Sequence, residues 1–144
     1  MTVYPDPPPR GTHPWGESTT PYEELGGETV LRRLVDLFYD RIDEESPELR
    51  AMHPTDDSNS RRNLFDFLSG WMGGPQLYME RKGHPQLRMR HLPFSIGNDE
   101  ATEWMRCMRS ALAEVGVSSP LREYLDVRLE QTAQHVRNRP NLGT

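Results

Sequence analysis

Apolar residues recur at three- and four-residue steps in every long segment of this chain, and no convincing alternating strand appears. That pattern constrains the fold more than any other feature. Leu31, Leu34, Val35, Phe38 and Ile42 make one stripe, with Arg32, Arg33, Asp36 and Asp40 between them. Side chains at this spacing share one helix face, whereas a half-buried strand needs a period of two. Leu64, Phe67, Leu68 and Trp71 repeat the pattern, and Ala101, Trp104, Met105, Met108, Ala111, Leu112 and Val115 form a broader face. Leu121, Tyr124, Leu125, Val127, Leu129, Ala133 and Val136 make the last one. The fold class expected is all-α, with about six helices around one core.

Glycine and proline punctuate these stripes. Gly26-Gly27 separates a short helix at residues 22–25 from the first long one. Ser46-Pro47 opens a brief helix to about residue 52, because serine caps well and proline suits the first turn, and His53-Pro54 ends it. Asp56, Asp57 and Ser58 offer caps for the next helix, which Gly73-Gly74-Pro75 stops. The stretch around Leu77 and Tyr78 reads as a looser segment. Asn98 or Asp99 is expected to cap the broad-faced helix, which ends at Gly116, and Ser118-Ser119-Pro120 opens the last one.

The 144 residues suffice for a single domain with one enclosed ligand. Six prolines fall within residues 1–21, so these read as a flexible arm whose Tyr4 and Trp15 could dock on the domain or on a partner. Residues 22–138 form the expected domain and 139–144 a flexible tail. A net charge of −5 argues against nucleic acid, even with Arg88 and Arg90 close together. No apolar leader and no span for a bilayer is present, so the expected location is cytoplasmic, without membrane insertion. The single cysteine, Cys107, excludes an internal disulfide. Among Trp104, Met105 and Met108 it reads as buried packing.

The chemistry concentrates in Gly83-His84-Pro85-Gln86-Leu87-Arg88-Met89-Arg90-His91-Leu92-Pro93-Phe94, a short basic segment between two breaks. His84 and His91 lie seven residues apart, but Pro85 places His84 at a helix start, and no Cys, Asp or Glu completes a zinc shell. A lone His91 suits a cofactor that supplies the remaining equatorial ligands, as haem does.

The run Gly73-Gly74-Pro75-x-x-Tyr78-x-x-Arg81-x-Gly83-His84-Pro85-x-Leu87-Arg88-Met89-Arg90-His91-x-Pro93-Phe94-x-Ile96, followed by Trp104-Met105-Arg106-Cys107-Met108, resembles the truncated haemoglobins of group II. The resemblance covers residues 22–137 and includes Gly26-Gly27 and the pair Phe38-Tyr39. It implies a two-over-two helical sandwich around haem b (iron protoporphyrin IX), with His91 as the proximal iron ligand and Pro93 fixing the chain beyond it. Tyr39 and Trp104 hold the distal hydrogen-bonding roles in that pattern. His53 is a departure, since many relatives carry tyrosine or phenylalanine at this corner; a titratable donor there would make ligand affinity sensitive to mildly acidic pH. Ser60 stands about where other globins place a distal histidine, and it is too short to replace one. Leu64, Phe67 and Leu68 are the expected apolar wall, and Arg90 and Arg81 the candidate propionate partners. Tyr78, Leu87, Phe94 and Met108 complete the expected haem contacts.

Three functions follow as expectations. The leading one is reversible binding of dioxygen, carbon monoxide and other diatomic ligands. The second is enzymatic, nitric oxide dioxygenation or peroxide reduction with a reductase as partner. The third is a cofactor-free helical interaction module recruiting partners through the Pro-rich arm. A homodimer stays open.

Overall fold

The computed structural model describes residues 13–91 and 94–138, with Arg88 described by its backbone alone. Outside the described residues lie Tyr4 and the rest of the expected arm to residue 12, Pro93 beside the proximal histidine, and the 139–144 tail. Eight helices order the described residues: α1 (Pro21–Leu25), α2 (Glu28–Glu45), α3 (Pro47–Ala51), α4 (Ser58–Trp71), α5 (Leu77–Lys82), α6 (Leu87–His91), α7 (Asn98–Val115) and α8 (Ser119–His135).

The long helices form two packed pairs. α4 lies against α2, α8 against α7, and α2 packs across α7, so the apolar stripes meet in the middle. Leu31, Leu34, Phe38 and Ile42 of α2, Leu68 of α4, Met105, Met108 and Leu112 of α7, and Leu121, Leu125 and Leu129 of α8 are all buried there. A full buried aliphatic or aromatic side chain contributes about 1.5–3 kcal/mol through the hydrophobic effect, which makes this seam the main source of stability.

The turns are specified by sequence. Thr20 Oγ1 accepts from the Glu23 N–H at 3.1 Å and starts α1. Gly26, at φ +119°, ends it; a Cβ there would stand 2.6 Å from Val30 Cγ2. Gly74 lies against the Tyr22 ring so closely that a Cβ would come within 2.5 Å of it. The Tyr22 N–H donates to Met72 O at 3.0 Å, so the end of α4 is tied to α1.

Two elements differ from the sequence reading. The segment around Leu77 and Tyr78 is the helix α5, giving eight helices among the described residues where about six were expected. Six residues carry too little apolar period to announce a helix, and tertiary contacts supply the stability: Tyr78 is buried, and Arg81 pairs with the buried Asp66 at 2.8 Å. α7 starts one residue earlier than expected. Gly97 is its cap, and its N–H donates to Glu100 Oε1 at 2.6 Å. The described part of the arm lies on the domain, one of the two placements open to Trp15. His13 stacks on Trp15 at 4.8 Å, Trp15 meets Tyr124 of α8 edge-on at 5.2 Å, and the Trp15 indole N–H donates to Ser18 O at 2.9 Å.

Candidate functional site

The sequence places Phe38 and Tyr39 side by side, and α2 turns them in different directions. Phe38 sits in the core seam with its ring edge-on to Trp104 of α7 at 5.0 Å and to Tyr39 at 5.1 Å. His53, just beyond α3, meets the other side of Tyr39 edge-on at 5.4 Å. The three distal candidates are thereby assembled around one aromatic hub.

Each polar group in this corner has a definable state. The Tyr39 hydroxyl donates to the backbone oxygen of Ser60 at 3.2 Å, so Ser60 enters the site through its carbonyl. Burial pushes the Tyr39 phenol well above its ordinary range, with Asp57 adding to the effect and Arg61 opposing it. Tyr39 is therefore a neutral donor. His53 Nδ1 lies 2.8 Å from Leu49 O, which selects the Nδ1–H tautomer and leaves Nε2 an acceptor while the ring is neutral. The half-buried Trp104 indole N–H makes no hydrogen bond to the described residues.

Two arginines fix this corner from outside. Arg50 donates to the carbonyls of His53, Pro54 and Thr55 at 3.2, 3.0 and 3.0 Å and pairs with Asp43 at 2.7 Å. Arg61 bonds Asp57, Asp40 and Asp36 at 2.9, 3.0 and 3.1 Å, with its guanidinium 5.5 Å from the Tyr39 ring centre. Burial disfavours its charge, but these carboxylates outweigh that and hold the guanidinium protonated. α4 is thus pinned to α2 beside Tyr39.

His91 closes the short α6, half-buried, with Nδ1 2.6 Å from Leu87 O. Gln86, immediately before α6, adopts a left-handed φ of +46°, a conformation disfavoured for any residue with a Cβ. His84 is exposed in the turn ahead of α6. Among the described residues no group of three or more His, Cys, Asp or Glu could hold a metal ion.

An open cleft of about 470 Å³ lies between Phe67 and Trp71 of α4, Pro85, Gln86 and Leu87 ahead of and within α6, and the α8 face carrying Thr132. It shares Phe67 and Leu87 with the expected haem contacts, whereas Tyr39, Trp104 and His91 do not line it. Leu64 and Phe67 are half-buried, and Leu68 and Met108 are wholly buried in the core. Tyr78 is buried and Phe94 exposed. The guanidinium of Arg81 sits on Asp66 and Asn63 of α4, at 3.0 and 2.8 Å. Arg90 is exposed, with Nε donating to Pro85 O at 2.8 Å.

Residues 20–138 match the bacterial-like globin family. Over 118 residues the chain is 46% identical to the group 2 truncated hemoglobin YjbI of Bacillus subtilis, spanning 82% of this chain and 88% of that one. The chain belongs to the group II truncated haemoglobins. Solved structures agree. The group II truncated hemoglobin of Bacillus anthracis superposes with a TM-score of 0.84 at 42% identity, covering 88% of this chain and 96% of that one. The truncated oxygen-avid haemoglobin from Bacillus subtilis gives 0.79 at 45% identity, covering 83% and 100%. The two-over-two sandwich of this globin is therefore that of its relatives.

Several residues of the site were not singled out by sequence. Asp57 and Arg61, four apart, signal an ion pair on one helix face, but nothing local shows that Asp36 and Asp40 join it. Trp71 reads as core, and only the fold puts it on the cleft. Asn138 is the last residue of the expected domain, yet it bonds residues 42 to 47 positions earlier.

Proposed function

We propose that this globin binds haem b through His91 and reversibly binds dioxygen and other diatomic ligands, with Tyr39 and Trp104 as hydrogen-bond donors. The observation that carries the reading is the state of one imidazole and one indole: His91 Nδ1 is committed to Leu87 O, and the Trp104 N–H has no hydrogen-bond partner among the described residues. A histidine whose Nδ1–H donates to a carbonyl presents Nε2 as a lone pair, the form that ligates a metal, and the carbonyl raises its basicity. A half-buried indole N–H without an acceptor suits a site where a polar ligand arrives. Half-buried Leu64, Phe67 and Trp71 offer the apolar surface a porphyrin needs, and Phe67, Trp71 and Leu87 line the open cleft of about 470 Å³.

When bound, haem supplies a ferrous iron that takes a diatomic ligand. The chain's own residues do the rest. Tyr39 stays protonated at all physiological pH and redirects its hydroxyl from Ser60 O to a ligand. Trp104 adds a second donor whose ring is fixed by Phe38. His53 stands against the Tyr39 ring with its Nδ1 committed to Leu49 O. That a relative of the same fold and 45% identity is oxygen-avid supports high dioxygen affinity here.

Reconstitution with haem tests the reading. The ferrous chain is expected to show a Soret band that moves on adding carbon monoxide, and His91→Ala to lose haem or change the ferrous spectrum. A His91→Ala variant with full haem and an unchanged ferrous spectrum contradicts the assignment.

A further inference from the structure

One residue on the proximal side makes more long-range hydrogen bonds than any local pattern explains. Asn138 follows the end of α8. Its Nδ2 donates to His91 O at 3.1 Å and to Phe94 O at 2.7 Å, and its Oδ1 accepts from the Ile96 N–H at 2.9 Å. Its own backbone N–H donates to Ile96 O at 2.8 Å. The amide can sit only one way round: two carbonyl oxygens face the nitrogen and one N–H faces the oxygen, so each of its hydrogen-bonding atoms meets a complement.

These four bonds close on the short stretch that carries the candidate iron ligand. α6 has five residues, too few to be stable alone, and Arg90 and Met89 on it are exposed, so burial does little to hold it. From its N-terminal side the His91 ring is fixed by Leu87 O. From its C-terminal side the His91 carbonyl, the Phe94 carbonyl and the Ile96 N–H are held by Asn138. α8 itself is anchored in the core through Leu121, Leu125 and Leu129 and packs on α7, the helix of Trp104. Asn138 thus references the proximal segment to the same rigid framework as the distal corner.

We infer that Asn138 is a positioning residue that clamps the backbone of His91, Phe94 and Ile96 to the end of α8 and thereby sets the height and tilt of the proximal imidazole. The inference rests on His91 being the iron ligand. A side chain that spans one N–H and two carbonyls has no close substitute. Aspartate could still accept from the Ile96 N–H but would turn an anion toward two carbonyl oxygens, and alanine would leave all three groups without the amide.

The test uses the full chain in two forms. In the haem-free protein, amide hydrogen exchange at Ile96 should quicken about tenfold in Asn138→Ala and stay near wild type in Asn138→Asp, because loss of one hydrogen bond is worth about an order of magnitude. In the ferrous haem-loaded protein, the iron–histidine stretching band should shift or broaden in both variants, and haem release should accelerate several-fold, while thermal unfolding of the core changes little. The split between the two readouts in Asn138→Asp is what a merely structural residue would not give. An unmoved iron–histidine band in both variants overturns the clamp, as does unchanged Ile96 exchange in Asn138→Ala. Failure of the underlying reading looks different: the band would then survive His91→Ala.

Discussion

The two candidate sides of the haem site are built by different means. The distal corner is part of the core: Phe38 is buried between α2 and α7 with Tyr39 and Trp104 on its flanks, and two arginines pin the surrounding backbone. The proximal side is a five-residue helix held by a few directed hydrogen bonds, from Leu87 O at one end and Asn138 at the other. Burial is large in energy but indifferent to direction, whereas hydrogen bonds are modest in energy and specify geometry. Distal changes should therefore disturb folding along with ligand chemistry, and proximal changes should disturb haem attachment with little effect on folding.

The largest expected break is His91→Ala. Haem affinity should fall by more than about 100-fold, beyond the range typical of altering an outer partner of a metal ligand. Haem transfer to a competing acceptor measures it, and circular dichroism of the haem-free chain should be nearly unchanged. Equal loss of helix in the haem-free variant would show that the proximal side carries folding energy after all.

On the other side, Phe38→Ala should destabilise the chain by about 4 kcal/mol, since it empties a fully buried aromatic site. Urea unfolding of the haem-free protein reads this. A loss under about 1 kcal/mol would mean that the distal aromatics do not depend on the core seam.

Alkaline pH sharpens the comparison further. The folded chain holds the Tyr39 proton above the pH at which an unfolded tyrosine releases it, near 10, so the unfolded state binds fewer protons and stability falls as pH rises past that point. The expected slope is about 1.4 kcal/mol per pH unit for this one group, and Tyr39→Phe should remove it. Denaturation curves between pH 9 and 12 supply the check (roughly the range bracketing the free phenol).

The smallest effect is reserved for Gln86. Relieving its left-handed backbone with Gln86→Gly should stabilise the proximal turn by about 1 kcal/mol at most, visible as a small rise in midpoint.

The same contrast explains what could be read from sequence. The long helices were legible because their apolar stripes have the helical period, and the paired breaks at Gly26 and Gly74 mark turns that no other residue fits without displacing Val30 or Tyr22. Tyr39, Trp104 and His53 were legible as distal candidates, and the fold does gather them. α5 was not, because its stability comes from Tyr78 burial and the Arg81 pair with Asp66, neither visible within six residues. Arg81 illustrates a further limit: its carboxylate partner Asp66 lies on another helix, where no local pattern shows it. Asn138 left no signal at all, since a hydrogen-bonding amide has no periodicity and its partners are fixed only by the path of α8.

The rate of dioxygen release tests the central claim most directly. In the haem-loaded ferrous chain, replacing both donors, Tyr39→Phe with Trp104→Leu, should speed release by about 100-fold or more, the effect of two lost hydrogen bonds to a charged acceptor. The iron–histidine band should stay where it is in the wild type. Release within twofold of wild type would contradict the account, because Tyr39 and Trp104 would then be packing residues and the polar corner around Phe38 would have no part in holding the ligand.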